Sequence, residues 1–190
     1  MLPCIWGVRG SVTFPGSCRI VRTVDELDFS ALYERHARDV HRFALFLSGD
    51  VQAAQDVTAE TFARVWVARG RIRSGSVKAY LLAIARNLCR DIGRDRRDRK
   101  DTPLGDVDVA DTAVGPERAA QSRDELRLVL VALQTLPEID RAVLLMAAVD
   151  GMSHQLIAEA TGLSTAAVKV RIHRARVRLN LARASKEGTS

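Results

Sequence analysis

Apolar side chains recur every three or four residues through most of this 190-residue chain, and nowhere do they alternate with polar ones at a period of two. A spacing of three and four follows the turn of an α-helix, whereas a half-buried strand needs strict alternation. The fold class is therefore all-α. Phe29, Leu32, Tyr33, His36, Val40, Phe43, Ala44 and Leu47 form one such stripe, and Ser48-Gly49-Asp50 stops it. Val51, Ala54, Val57, Thr61, Phe62, Val65 and Trp66 repeat the pattern. A basic stretch from Arg69 to Ser76 follows, and Val77, Leu81, Ile84, Leu88 and Ile92 mark a third helix.

The carboxyl-terminal part reads as four more helices. Leu126, Val129, Leu130 and Leu133 mark one, interrupted by Leu136-Pro137. Ala142, Val143, Met146 and Val149 mark the next, ended by Asp150-Gly151. Glycine just past a helix end is the usual stop, because it adopts the left-handed conformation without strain. A short helix from Ser153 to about Ala160 then reaches the turn Thr161-Gly162-Leu163, and Ser164 caps a longer one. Two helices across a short glycine-containing turn form the DNA-binding helix-turn-helix pattern.

Charge divides the chain into three zones. Residues 1–100 carry 18 basic and 11 acidic side chains, residues 101–125 carry 2 and 7, and residues 126–190 carry 9 and 5. Two basic blocks thus flank an acidic segment rich in Pro, Gly and Asp, which suits a flexible linker. The expected organisation is a disordered extension at 1–24 and a helical bundle at 25–100. A linker at 101–120, a helix-turn-helix domain at 121–184 and a tail at 185–190 complete it. A net charge of +6 directs attention to a polyanion, nucleic acid first. Cys4, Cys18 and Cys89 are odd in number and lack Cys-x-x-Cys spacing, so neither a disulfide framework nor a zinc cage is expected, and a reducing cytoplasm fits. No apolar run approaches the roughly 20 residues of a membrane span. No cofactor, metal or catalytic constellation emerges.

Three helices carry candidate chemistry. In the last one, Val168, Ile172, Ala175 and Leu179 form the packed face, while Lys169, Arg171, Arg174, Arg176 and Arg178 face outward with no acid among them. Small residues at its start, Thr165, Ala166 and Ala167, let such a helix sit deep in a major groove. On the third helix, Arg86, Arg90 and Arg97 lie opposite the apolar side. Tyr80, Asn87 and Arg94 run down one flank, offering a ring to stack on, an amide to pair with a base edge and a guanidinium for phosphate. On the second helix Asp56 and Glu60 sit one turn apart beside Arg64 and aromatics, a charged face for a protein partner.

Together these segments resemble a known family. Asp56-Val-Thr-Ala-Glu60-Thr-Phe62-Ala-Arg64-Val-Trp66, Ala79-Tyr80-Leu-Leu-Ala-Ile84-Ala85-Arg86-Asn87-Leu-Cys-Arg90-Asp91, Leu136-Pro137-Glu-Ile-Asp-Arg141 and the Gly151 to Arg176 helix-turn-helix are similar, in that order, to bacterial RNA polymerase sigma factors. The likeness is to the extracytoplasmic-function group, which keeps only sigma domains two and four. It implies a promoter-directing subunit and no enzyme. Asp56, Glu60, Phe62, Arg64 and Trp66 would dock on the clamp helices of the largest polymerase subunit, and the flap of the second subunit is a further implied contact. Arg71, Arg73, Lys78, Tyr80, Arg86, Asn87, Arg90 and Arg94 would recognise the minus-ten element with one base flipped out. Ser164, Thr165, Ala166, Lys169, Arg171, His173, Arg174 and Arg176 would read the minus-thirty-five element. An anti-sigma protein is an expected partner. Departures from the family pattern are Ala59 where Gln is frequent, Tyr80 where Trp is common, and Leu156 where Glu would complete a capping box with Ser153. Two other readings remain open at this stage, a helix-turn-helix regulator that works without polymerase and a DNA recombinase. The latter needs a poised Ser or Tyr nucleophile that residues 25–100 do not offer.

Overall fold

The computed structural model describes residues 29–68, 76–99 and 116–187. They form seven helices and, among the described residues, no strand: α1 (Phe29–Ser48), α2 (Val51–Ala68), α3 (Val77–Arg99), α4 (Pro116–Gln134), α5 (Glu138–Ala148), α6 (His154–Thr161) and α7 (Thr165–Glu187). Local chemistry sets most of these ends. Gly49 takes φ +74° after α1, and its N–H donates to the Leu45 carbonyl at 2.8 Å. Asp50 then caps α2, its Oδ1 accepting from the Ala53 N–H at 2.8 Å. The expected linker ends sooner than its 101–120 boundary, because Pro116 opens α4 from a position where its missing N–H costs nothing. At the other end α7 runs through to Glu187, three residues into the stretch read as a tail. Residues 1–24, with the extension expected there, lie outside the described residues.

α1, α2 and α3 pack as a three-helix bundle around Val40, Phe43, Leu47, Val57, Val65, Leu81 and Leu88. α4 to α7 pack around Leu133, Met146, Ile157, Val168, Ile172 and Ala175. These two bodies do not stand apart. α5 and α6 lie on α3, and α4 and α5 lie on α1, so the apolar interior is continuous from one to the other. α3 shows the consequence. Every residue from Ala79 to Arg86 is buried except the half-buried Tyr80, although its sequence has a single apolar stripe. One face meets α1 and α2, the opposite face meets α5 and α6.

Two features of this packing can be measured. Gly49 lies so close to α4 that an added Cβ would meet Gln134 Nε2 at 2.8 Å, in a backbone conformation that L side chains rarely adopt. Gly49→Ala is expected to cost about 2 kcal/mol in urea denaturation, the left-handed strain and the displacement of Gln134 together. His36, on α1, has a buried Nδ1 without a hydrogen-bond partner, and burial, then the neighbouring Arg35, lowers its pKa below the ordinary 6.5. The folded chain therefore binds this proton less well than the unfolded one, so its stability falls as pH drops through 6.5. The melting temperature is expected to decline from pH 7.5 to 5.5, and less steeply in His36→Gln.

Candidate nucleic-acid and protein interfaces

Three surfaces carry the residues singled out by the sequence. On α2, Asp56 is exposed and accepts a long 3.4 Å bond from Gln52, while Glu60 and Arg64 pair at 2.7 Å. Trp66 is 48% exposed and Phe62 only 2%. Phe62 is thus a core residue and not a contact surface. The ring edges of Phe29 and Tyr33 close over it at centroid distances of 6.4 and 4.8 Å, and Trp66 stacks edge-on against Phe29 at 4.8 Å. The exposed face combines Asp56, the Glu60–Arg64 pair and Trp66 with Tyr33, expected on the apolar stripe of α1 but 46% exposed, and with Val67, which periodicity did not bring out and which is 85% exposed. Val67 differs from its stripe only in lying one position beyond it, a signal too slight to read from spacing.

The α3 surface departs furthest from expectation. Tyr80 and Asn87 are half-buried and Arg90 and Arg94 exposed, so the reading flank is partly open. Burial raises the Tyr80 hydroxyl pKa. Arg86 is almost wholly withdrawn from solvent. It donates from Nε and Nη2 to the two carboxylate oxygens of Glu138 at 2.9 and 3.2 Å, and its side chain is 10% exposed. A helical wheel put Arg86 opposite the core, which is correct, but α5 covers that side as well. Lys78 is engaged too, 2.7 Å from Asp39 on α1 and 3.0 Å from Asp150 beyond α5. Arg71 and Arg73 lie outside the described residues. Cys89, expected to pack as a small apolar residue, is buried, and its thiol is pushed up to about 12 by desolvation with Glu138 nearby.

The helix-turn-helix is built by its punctuation. Ser153 Oγ accepts from the Leu156 N–H at 3.3 Å, so the cap forms without the reciprocal Glu. Gly162 ends α6 at φ +71°, and Ser164 Oγ accepts from the Ala167 N–H at 3.2 Å to open α7. Val168, Ile172 and Ala175 are buried, which leaves Ser164, Thr165, Ala166, Lys169, His173, Arg174 and Arg176 on the exposed side. Arg171 is partly withdrawn. It pairs with the buried Asp140 of α5 at 2.7 Å, and Arg178 approaches the same carboxylate at 3.8 Å. Asp140 sits in the first turn of α5, where the helix dipole favours a carboxylate. Sequence spacing gave no sign of these partners. The available clue was that α5, otherwise apolar, carries Glu138, Asp140 and Arg141 at one end and precedes Asp150 at the other.

Residues 32–99 match the family description "Sigma-70 region 2" and residues 126–179 match "Sigma-70, region 4". The ECF RNA polymerase sigma factor SigL of Mycobacterium tuberculosis is 33% identical over 145 residues, 75% of this chain and 81% of that protein. The chain belongs to the extracytoplasmic-function group of the sigma-70 family. A probable RNA polymerase sigma factor, RfaY of Xanthomonas campestris, is 34% identical over 142 residues, 72% of this chain, which spans only 36% of that longer protein. Among solved structures, the sigma factor RpoE of Bartonella quintana, crystallised with the anti-sigma factor NepR, superposes with a TM-score of 0.64. It is 25% identical, with 80% of this chain and 94% of that one covered. In sigma terms, α1 to α3 correspond to region 2 and α5 to α7 to region 4, with α4 entering the match at residue 126. Among the described residues no helix is long and apolar enough to cross a membrane, and no cluster of His, Cys, Asp and Glu could hold a metal.

The two aromatic positions of α2 separate by stability. Phe62→Ala is expected to cost about 3–5 kcal/mol, as a core cavity does. Trp66→Ala is expected to cost about 1 kcal/mol, since half its surface stays in water. Chemical denaturation of both variants checks this.

Proposed function

We propose that this sigma factor binds core RNA polymerase through α2, directs it to a two-element promoter and assists strand opening there. The observation that carries the reading is the presence, in one chain, of an exposed acidic and aromatic face on α2 and a capped helix-turn-helix with a basic outer face on α7. The first suits a protein partner and the second a duplex. Between them the flank of Tyr80, Asn87 and Arg94 suits an unstacked strand. Stacking and an amide contact there offset the few kcal/mol that flipping a base costs. The chain performs no covalent chemistry in this role. An anti-sigma protein covering these faces is part of the proposal, supported by the complex in which the RpoE relative was solved.

The promoter elements are centred about 25 base pairs apart, or about 85 Å of duplex at 3.4 Å per pair. Two packed domains of this size have centres about 30 Å apart. Reading both elements at once therefore requires the packed arrangement to open.

Run-off transcription with purified core polymerase, with and without the chain, tests the proposal. Specific starts should appear only with the chain present, and Asp56→Arg should abolish them by reversing charge on the α2 face. Asn87→Ala should change preference among minus-ten sequences. Arg176→Ala should weaken binding to every template and lower the salt slope by about 1. Specific starts that need no added chain, or that survive Asp56→Arg unchanged, would overturn the assignment.

A further inference from the structure

An apolar side chain stands in the middle of the basic outer face of α7. Val170 is 48% exposed and belongs neither to the buried core nor to the side chains packed against it. It lies two positions from each of the buried Val168 and Ile172, which at about 100° per residue sets it on the side away from the core. Ala166 is its neighbour one turn earlier, His173 and Arg174 one turn later, and Lys169 lies beside it; all four are exposed. A lone exposed valine is ordinary on most surfaces. Here it occupies the centre of the face that a helix-turn-helix offers to a duplex. Valine adds nothing to phosphate attraction and forms helix less readily than lysine or arginine. What it adds is direction, because a β-branched side chain in a helix keeps one χ1 rotamer about 90% of the time and so holds its two methyl groups in place. The small Ala166 lets the helix come close enough for those methyl groups to reach a base edge.

The inference rests on the reading above, in which α7 enters a major groove. In that groove valine has neither a donor nor an acceptor to give. Set against adenine or cytosine it would cover an amino group, and against guanine a pair of acceptors, each stripped of water without a partner. The C5 methyl of thymine is the one apolar group that a base pair displays there. We infer that Val170 is a specificity-determining residue that takes the C5 methyl group of one thymine in the minus-thirty-five element. 5-Methylcytosine carries the same methyl group and is accepted in preference to cytosine. Val177 supplies an internal comparison, since it is 43% exposed on the same line of α7. It stands seven residues on, about 10 Å along the helix, past the N-terminal turns with which a recognition helix reads bases.

The test uses the full chain with core RNA polymerase. A preferred duplex is selected from a random-sequence pool, with core polymerase alone as the control. Each thymine of its minus-thirty-five element is then replaced singly by deoxyuridine, which removes the methyl group and nothing else. Wild-type affinity should fall about fourfold at one thymine, the ~0.8 kcal/mol of one buried methylene-sized group. Val170→Ala should bind the thymine and deoxyuridine duplexes equally, and Val177→Ala should keep the wild-type difference. With cytosine at that position, adding the C5 methyl group should strengthen binding by the wild type and not by Val170→Ala. A variant that had lost its fold would lose discrimination throughout the element, whereas Val170→Ala should lose it at this thymine alone. An element without thymine, deoxyuridine without effect at every thymine, or an effect that survives Val170→Ala would overturn the inference and leave the duplex reading of α7 intact. If no duplex is enriched over core polymerase alone, that reading falls and the role of Val170 with it.

Discussion

A guanidinium taken out of water has to be given an anion, and Arg86 receives its anion from another domain. That one requirement fixes much of the rest. Arg86 lies in the middle of α3, so Glu138 can reach it only if the first turn of α5 rests on α3. With that end placed, Asp150 falls beside Lys78 and Arg42, α6 follows onto α3, and the far side of α3 closes over Ala79, Leu82, Ala83 and Cys89. Burying an arginine unpaired would be far costlier than leaving it in solvent, so the fork and the domain contact stand or fall together.

The elements themselves were legible because helices announce themselves locally. The 3.6-residue period located all seven, and the helix-turn-helix was readable to its caps, since Ser153, Gly162 and Ser164 act on backbone groups within a few residues. What spacing does not convey is how many neighbours a helix has. Arg86 was correctly set opposite the apolar stripe of α3, but its cover by Glu138 of α5 could not be read, because a wheel drawn for one partner leaves the other side blank. Phe62 and Trp66 belong to one stripe, and only the positions of Phe29 and Tyr33 decide that the first is covered and the second is not. The opening of α4 was misjudged for a different reason. Pro116 and its charged neighbours have a linker's composition, but a proline at a first helical position starts a helix as readily as it ends one.

The candidate surfaces share a property that follows from the same ions. Asp140 holds Arg171 inside domain four as Glu138 holds Arg86 between the domains, so each proposed DNA-reading helix has one arginine already bound to a carboxylate of α5. α5 has no exposed basic reading face of its own, and its buried stripe of Ala142, Val143 and Met146 is that of a central packing helix. Its acidic first turn is stabilised by the helix dipole, which is where carboxylates cost least to keep. One short helix therefore sets the electrostatics of both domains.

An ionic contact is also the kind that a polyanion can replace. When a carboxylate leaves a guanidinium and a phosphate takes its place, the number of charge-assisted hydrogen bonds is conserved, so the exchange approaches balance and small additional terms decide it. In the role proposed for this chain, grip on polymerase would supply such a term. In the proposed role, with α2 held by one partner, the two domains would act at high effective concentration on the same duplex, and neither would need high affinity by itself. A purely apolar seam between the domains would lack this property. DNA offers nothing that replaces buried leucines, and the cost of parting them would fall wholly on the polymerase.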